Sequence, residues 1–469
     1  MNEIKRKKLD LVVIGSGLSA LNFIDTYLDK YKKVHLISPV NIKEKNILKN
    51  TIKRILPAQM KREEGDVEKY FKYNNFNLDK NCKAIGALNR GGLSNYWGLQ
   101  MDNVFYNDQN RLTKKIFDQI NENFVLFLKK YHLVGQFKIN NKIVYKNDYN
   151  IPVFLKELIY LNNNNFECEK PILAFIAKNL KKKNINNIKE INSKFTAKNF
   201  IKTIKQKGSI IFHNFYVKKI KKKNNQIEIL CSDNEKEEIF LANKVIFASG
   251  TIATTKIIID FLKIKKEIKI KHHQRLLSVY LGRNSINYKL KFTPSLLQII
   301  DKSKKYTADL RPGNKMITDS IIDAYPLFKP IKFFLNLMKN RMIFSNILLN
   351  SEFSNIYMKK KGISTQIYSK KSKVEKFLGD KNYKVFKFLF NSKIIFPFYK
   401  TLYPGPGADY HYFGTIPFHK KGKLSVNEKC QLKNNKNIYI VDGSIFNFKR
   451  NKYPLGFIIA NARRIGKLL

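Results

Sequence analysis

Cysteine is scarce and scattered: the chain has four, Cys82, Cys168, Cys231 and Cys430, and none forms a CxxC pair. Neither a disulfide framework nor a zinc site is expected, and a reducing compartment such as the cytoplasm fits. Long apolar runs are missing too, since no stretch reaches the roughly 18 uncharged apolar residues that a spanning helix needs. The basic start, Met1 to Lys8, is like a signal peptide, but Asp10, Gly15 and Gly17 interrupt the apolar run that follows, so no targeting signal is read. Acidic residues are few, 36 against 89 Lys and Arg, for a net charge of +53. Such an excess suits nucleic acid or anionic lipid. Blocks such as Lys181 to Lys183 and Lys221 to Lys223 are interspersed with Asn and Ile, however, as in Asn162 to Asn165. This pattern reads as coding bias and weighs against a nucleic-acid partner.

What remains is ample material for a core. With 469 residues, 43% hydrophobic and 13% aromatic, the chain exceeds one ordinary hydrophobic core, so two domains, or one with large insertions, are expected. The histidines suggest no metal site: His272 and His273 are adjacent rather than spaced along a helix face, and His35 and His213 fall in predicted strands.

The chain opens with a β-branched run, Leu9 to Ile14. Helical spacing follows from Leu21 to Leu28, then strand character from Val34 to Ile37, a β-α-β unit of crossover length. Short strands are predicted at Ile210 to Phe212, Phe215 to Ile220, Gln226 to Cys231, Ile239 to Leu241 and Val245 to Phe247, with a turn at Asn224 and Asn225. A helix is expected from Ile252 to Leu262, alternating strands within Ile286 to Ile331, and a helix over Phe333 to Leu349. Ile176 to Ser193 reads as a solvated helix or loop. The tail from Asn437 reads as strand, loop and helix.

Four motifs carry chemistry. In Gly15-Ser16-Gly17-Leu18-Ser19-Ala20, after a strand and opening a helix, Gly15 permits a tight turn, Gly17 lets backbone approach a pyrophosphate, and Ala20 permits close helix packing. The acid expected about 20 residues on is replaced by Ser38, which offers a hydroxyl where a carboxylate would grip a ribose. Arg90-Gly91-Gly92-Leu93-Ser94-Asn95-Tyr96-Trp97-Gly98 pairs glycines that let backbone lie against a flat ring. Val245 to Thr251 is a buried strand entering a small-residue turn at Gly250. Near the end, Asp442-Gly443 closes a strand and Tyr453-Pro454 precedes a helix.

The order of these motifs resembles the glucose-methanol-choline family of FAD oxidoreductases over about residues 9–38, 86–98, 209–262 and 409–469. The resemblance implies FAD contacts at Gly15, Gly17, Ala20, Ser38, Gly91, Gly92, Ser94, Val217, Gly250, Asp442, Gly443 and Pro454. Trp97 is more similar to the pyranose-oxidase branch, where a preceding His can bond the flavin covalently. Tyr96 stands there, which implies FAD held without a covalent link. His411, in His411-Tyr412-Phe413-Gly414-Thr415, matches the family's catalytic His, and Tyr453 stands where the family carries a second His or Asn. A phenol with a pKa near ~10 is a poor base.

The expectation is an α/β chain: a Rossmann-like FAD-binding domain from residues 1–104, 201–263 and 431–469, with a mainly helical insertion at 105–200 and an inserted α+β substrate domain at 264–430. His411 would take the proton of an alcohol or sugar hydroxyl while hydride leaves its carbon for the flavin. The electron acceptor is not legible. Alternatives are a flavin-binding protein without redox turnover and a basic nucleic-acid-binding protein. Pro330 to Leu349 raises a further alternative, peripheral contact with an anionic membrane, against the plainer expectation of a buried helix with a charged outer face.

Overall fold

A computed structural model describes residues 6–39, 64–104, 106, 112–139, 142–161, 163–176, 194–286, 293–419, 421–450 and 453–469. The helix expected within Ile176 to Ser193 lies outside them save for its first residue. The fold is mixed α/β, with sheets of eight, four, six and four strands.

The eight-stranded sheet positions the site. Its centre is parallel, in the spatial order Ser209–His213, Lys33–Ile37, Arg6–Ile14, Glu237–Phe247 and Asn435–Ile440. Val12, Val13 and Ile14 pair on one side with Val245, Ile246 and Phe247 and on the other with His35, Leu36 and Ile37. All of these but the half-buried His35 are buried, as expected of parallel strands covered on both faces. The order runs outward from the first strand in both directions, so the carboxyl ends of Arg6–Ile14 and Glu237–Phe247 flank the crevice where such sheets present ligands.

Glu237–Phe247 does two jobs. Its first half pairs antiparallel with Gln226–Ser232, which pairs in turn with Tyr216–Lys223, and its last three residues pair parallel with Ile438 to Ile440. It is one strand, where two were expected at 239–241 and 245–247. Ala242, Asn243 and Lys244 stay in register with the first strand or its hairpin neighbour and so do not break it. Asn224, at φ 50° in the hairpin turn, takes the left-handed conformation that Asn tolerates.

Helix Leu18–Tyr27 and the C-terminal helix Leu455–Leu468 pack together over this sheet. Gly466 permits the approach, because a Cβ there would meet Thr26 Oγ1 at 2.2 Å. Arg463 donates to Asp25 Oδ2 at 2.5 Å across the same contact.

The six-stranded sheet runs Ile395–Leu402, Arg275–Gly282, Met342–Leu349, Tyr306–Pro312, Leu297–Asp301 and Phe166–Glu169. It corrects the helix expected over Phe333 to Leu349: a short helix, Lys332–Met338, is followed by the strand Met342–Leu349. The apolar run could satisfy either period, and pairing on both edges decided for strand. The stretch 105–200, expected to be mainly helical, also needs correction. Beside the helices Lys114–Lys130, Val153–Tyr160 and Ala197–Ile204 it carries four strands, among them Leu133–Ile139 and Lys142–Asn147. Phe137 and Tyr145 face each other there as a buried cross-strand pair.

Candidate functional site

One cavity of about 810 Å³ opens where the eight-stranded and six-stranded sheets meet, toward the upper end of the roughly 300–1,000 Å³ usual for small-molecule sites. It is lined by Gly15, Gly17, Ser38, Gly91, Gly92, Ser94, Val217, Gly250, Asp442, Gly443 and Pro454, together with His411 and Tyr453. Of the cofactor and catalytic residues that the resemblance implies, only Ala20 is absent from the wall: it is fully buried, on the helix that Gly17 opens.

The glycine loop follows directly from Arg6–Ile14. Gly15 adopts φ 102°, and a Cβ there would strike Ala248 O at 2.4 Å, so strand packing alone demands glycine. Gly17 differs. Its φ of −71° suits any residue, and a Cβ would sit 3.7 Å from Ser94 Oγ, at ordinary contact. The glycine keeps room in the cavity wall rather than relieving a clash.

Serines lock two loops together. Ser16 Oγ lies 2.7 Å from Ser38 Oγ and accepts the Gly91 amide hydrogen at 2.8 Å. Ser94 Oγ accepts from the Leu18 amide at 3.2 Å and donates to Gly91 O at 2.5 Å. Ser16 and Ser94 therefore hold the phosphate-type loop to the paired-glycine loop, and Ser38 braces Ser16. Tyr96 accepts from Asn89 at 2.8 Å, and Trp97 donates to Phe195 O at 3.2 Å while still lining the cavity.

Asp442 is buried with both oxygens engaged. Ser444 donates to Oδ1 from its amide (3.0 Å) and hydroxyl (2.6 Å), and Thr254 donates to Oδ2 at 2.5 Å. Burial nonetheless raises its pKa. The carboxylate joins the start of helix Thr251–Phe261 to the turn Gly443–Ile445, and so shapes the wall through the backbone it fixes.

On the opposite wall stand His411 and Tyr453, T-shaped with ring centroids 5.3 Å apart. His411 Nδ1 is buried and has no hydrogen-bond partner among the described residues. Burial pushes the imidazole pKa down to about 4, opposed by Asp409 and assisted by the charges of Arg275 and Arg311, so the ring is neutral at pH 7. Asp409 fixes its backbone: Oδ2 accepts from the amides of His411 (3.2 Å) and His273 (2.9 Å), while Oδ1 meets His272 Nδ1 at 2.9 Å. Although burial opposes ionisation, His272 keeps the Asp409 carboxyl below its ordinary value.

Three further residues were not legible in the sequence. Tyr453 donates to Asp309 Oδ2 at 2.6 Å, and Arg311 binds the same oxygen through Nε (2.8 Å) and Nη2 (2.5 Å). Asn346 donates its amide and side-chain hydrogens to Asp309 Oδ1, at 2.7 and 3.1 Å. Asp309 and Asn346 are register partners in the six-stranded sheet. The alternation Asp309-x-Arg311 on one strand face was the only local sign of the group. Burial raises the Tyr453 pKa, as does the adjacent Asp309 charge, well above the usual phenol value. The cluster holds a neutral phenol and a neutral imidazole against one cavity.

No family model matches this chain, and no curated protein matches it either. Geometry and chemistry therefore carry the functional argument. Among the described residues no three His, Cys, Asp or Glu side chains are grouped to hold a metal, and no helix is long and apolar enough to cross a membrane.

Proposed function

We propose that this chain is an FAD-dependent oxidoreductase of the glucose-methanol-choline type, acting on the CH–OH group of an alcohol or sugar-like substrate. The supporting observation is convergence: motifs near residues 15, 91, 250, 411, 442 and 453 line a single cavity. On this reading the parallel sheet is a Rossmann-like domain built from three separated segments, and the six-stranded sheet is the floor of the substrate side.

The chain's own groups fit the cofactor at its phosphate and ring ends. Space kept by Gly17 at the start of helix Leu18–Tyr27 suits a pyrophosphate, which amide donors and the helix dipole favour. Gly250, where a Cβ would have nothing within 4 Å, keeps similar room. The ribose end has no carboxylate from Ser38, whose hydroxyl is paired with Ser16. FAD, when bound, supplies the hydride acceptor and is held without a covalent link.

His411, neutral and lacking a protein partner at Nδ1, takes the substrate hydroxyl proton. Arg275 and Arg311 disfavour the imidazolium so formed, while Asp409 and Asp309 favour it. Tyr453, its proton committed to Asp309, has none to offer the substrate oxygen, and it orients the substrate through the ring held beside His411. That same commitment favours a second reading, a flavin-binding protein without redox turnover, because the position offers no base.

The test is direct. Purified protein should be yellow, denaturation should release intact FAD, and an alcohol or sugar added without oxygen should bleach the flavin. Colourless protein after incubation with FAD removes the first reading, and bound flavin that no alcohol or sugar bleaches selects the second.

A further inference from the structure

The short helix Lys332–Met338 is apolar on both sides. Leu335 and Met338 line the cavity, whereas Phe333 and Phe334 on the outer side are 75% and 62% exposed and Leu337 is 64% exposed. Leu327, in the preceding turn Pro326–Phe328, is 91% exposed. Phe398 of the strand Ile395–Leu402 is 65% exposed and also lines the cavity. Tyr325 ties the two rims, donating to Thr401 O at 2.9 Å. Single exposed apolar side chains need no explanation, but a cluster at a cavity mouth does.

Charge says what covers it. From Tyr325 to Ser345 the sequence holds Lys329, Lys332, Lys339 and Arg341 and no Asp or Glu, and Lys393 to Leu402 adds Lys400 and again no acid. Lys332 meets Asp319 at 3.3 Å. An apolar tip within a basic ring is the pattern that seats in an anionic bilayer, rings among acyl chains and ammonium groups at the headgroups. Leu335, Met338 and Phe398 at that tip line the same cavity as His411.

We infer that this rim docks on an anionic lipid surface, and that the cavity draws from it a long-chain amphiphilic alcohol whose hydroxyl reaches His411. The substrate half rests on the oxidoreductase reading. The docking half stands without it.

Charge alone will attract a protein of net charge +53 to acidic vesicles, so the test must read penetration. The full chain carrying Phe334→Trp, with or without added FAD, is mixed with phosphatidylglycerol–phosphatidylcholine vesicles whose acyl chains are brominated. The emission added over that of Trp97 should shift to the blue and be quenched. The triple change Phe333→Ser, Phe334→Ser, Leu337→Ser, with flavin content and melting curve retained, should weaken vesicle binding by about 10- to 100-fold. Lys329→Glu with Lys339→Glu should weaken it by about 10-fold or more, with less effect at high salt. Unquenched emission, or a triple variant that binds as the parent does, overturns docking. So does a lipid-free dimer that the triple variant dissociates, which would make a second copy the occupant. For the substrate, dodecanol in vesicles should reduce the flavin faster than a soluble sugar. A sugar that reduces it equally fast overturns the substrate half alone. Reduction by neither removes that half together with the oxidoreductase reading, and quenching still decides docking.

Discussion

Tyr453 gives its hydroxyl hydrogen to Asp309 at 2.6 Å, and Arg311 grips the same carboxylate oxygen from two nitrogens. The phenol is thereby fixed in one orientation and kept protonated, since burial and the Asp309 charge both raise its pKa. Tyr453→Phe removes the hydrogen bond that holds the ring in place and leaves Asp309 still bound by Arg311 and Asn346. Flavin reduction should slow by about 5- to 30-fold, the worth of one hydrogen bond of about 1–2 kcal/mol. Anaerobic stopped-flow reduction measures it, and a loss larger than that of a His411 variant would reverse the two roles.

His411→Ala should leave flavin bound while slowing reduction by about 10²- to 10⁴-fold. The acid limb of the reduction rate gives a second reading of the same residue. Burial lowers the imidazole to about 4, so the ring stays unprotonated from neutral pH down to mildly acidic pH, as the proposed base must be. The rate should be flat across this range and fall only as pH drops toward 4. An acid limb centred near the ordinary histidine value of about 6.5 would contradict the environment described.

What the sequence revealed and what it hid follow from the range of the constraints. Gly15, Gly17, Gly91, Gly92 and Gly250 answer to backbone conformation or to space beside their own loops, so a few neighbouring residues announce them. Asp309, Arg311 and Asn346 answer to each other across strands 306–312 and 342–349. No window of the sequence contains that pairing. The strand Met342–Leu349 was hidden for a related reason, because a mostly apolar run buried on both faces, with Ser345 and Asn346 adjacent in its middle, shows neither period clearly. Asp409 stood in plain sight two residues before His411, but its role depends on His272, far off in the chain.

Gly17→Ala separates a ligand role from a structural one. A Cβ at that position meets nothing closer than Ser94 Oγ at 3.7 Å, so the folded chain should tolerate the change and melt within a few degrees of the parent. If flavin occupies that space as proposed, its binding should be weakened. Gly15→Ala should instead destabilise the protein with or without FAD, since its Cβ would lie 2.4 Å from Ala248 O. Calorimetry of both variants in each state checks the contrast.

The Asp25–Arg463 pair joins the first helix to the last, and it should govern acid stability. Asp25 is nearly inaccessible. Burial disfavours its charge, but Arg463 and Lys130 outweigh that, and the carboxyl titrates well below the ordinary range. Tyr131 adds a hydrogen bond to the same oxygen at 2.8 Å. A carboxyl whose folded pKa lies below its unfolded value of about 3.9 adds stability that is complete above that value and is lost as pH falls further. His213 acts in a higher window. Burial, with His35 and Lys7, lowers it to about 4, so the unfolded chain takes up its proton first and stability declines as pH falls from about 6.5 toward 4. Two acid phases should therefore appear in chemical denaturation followed from pH 7 to about pH 2. His213→Gln should reduce the upper one, leaving the share of His411, which is lowered to about 4 as well. Asp25→Asn should lower stability at pH 7 by about 3 kcal/mol or more, because it leaves Arg463 buried with its charge uncompensated, and should reduce the lower phase, to which Asp409 also contributes. An Asp25→Asn variant as stable as the parent at pH 7 would show that the two helices are held by packing around Gly466 and by the hydrogen bonds of Arg463 to Thr26 and Asn22, without the ion pair.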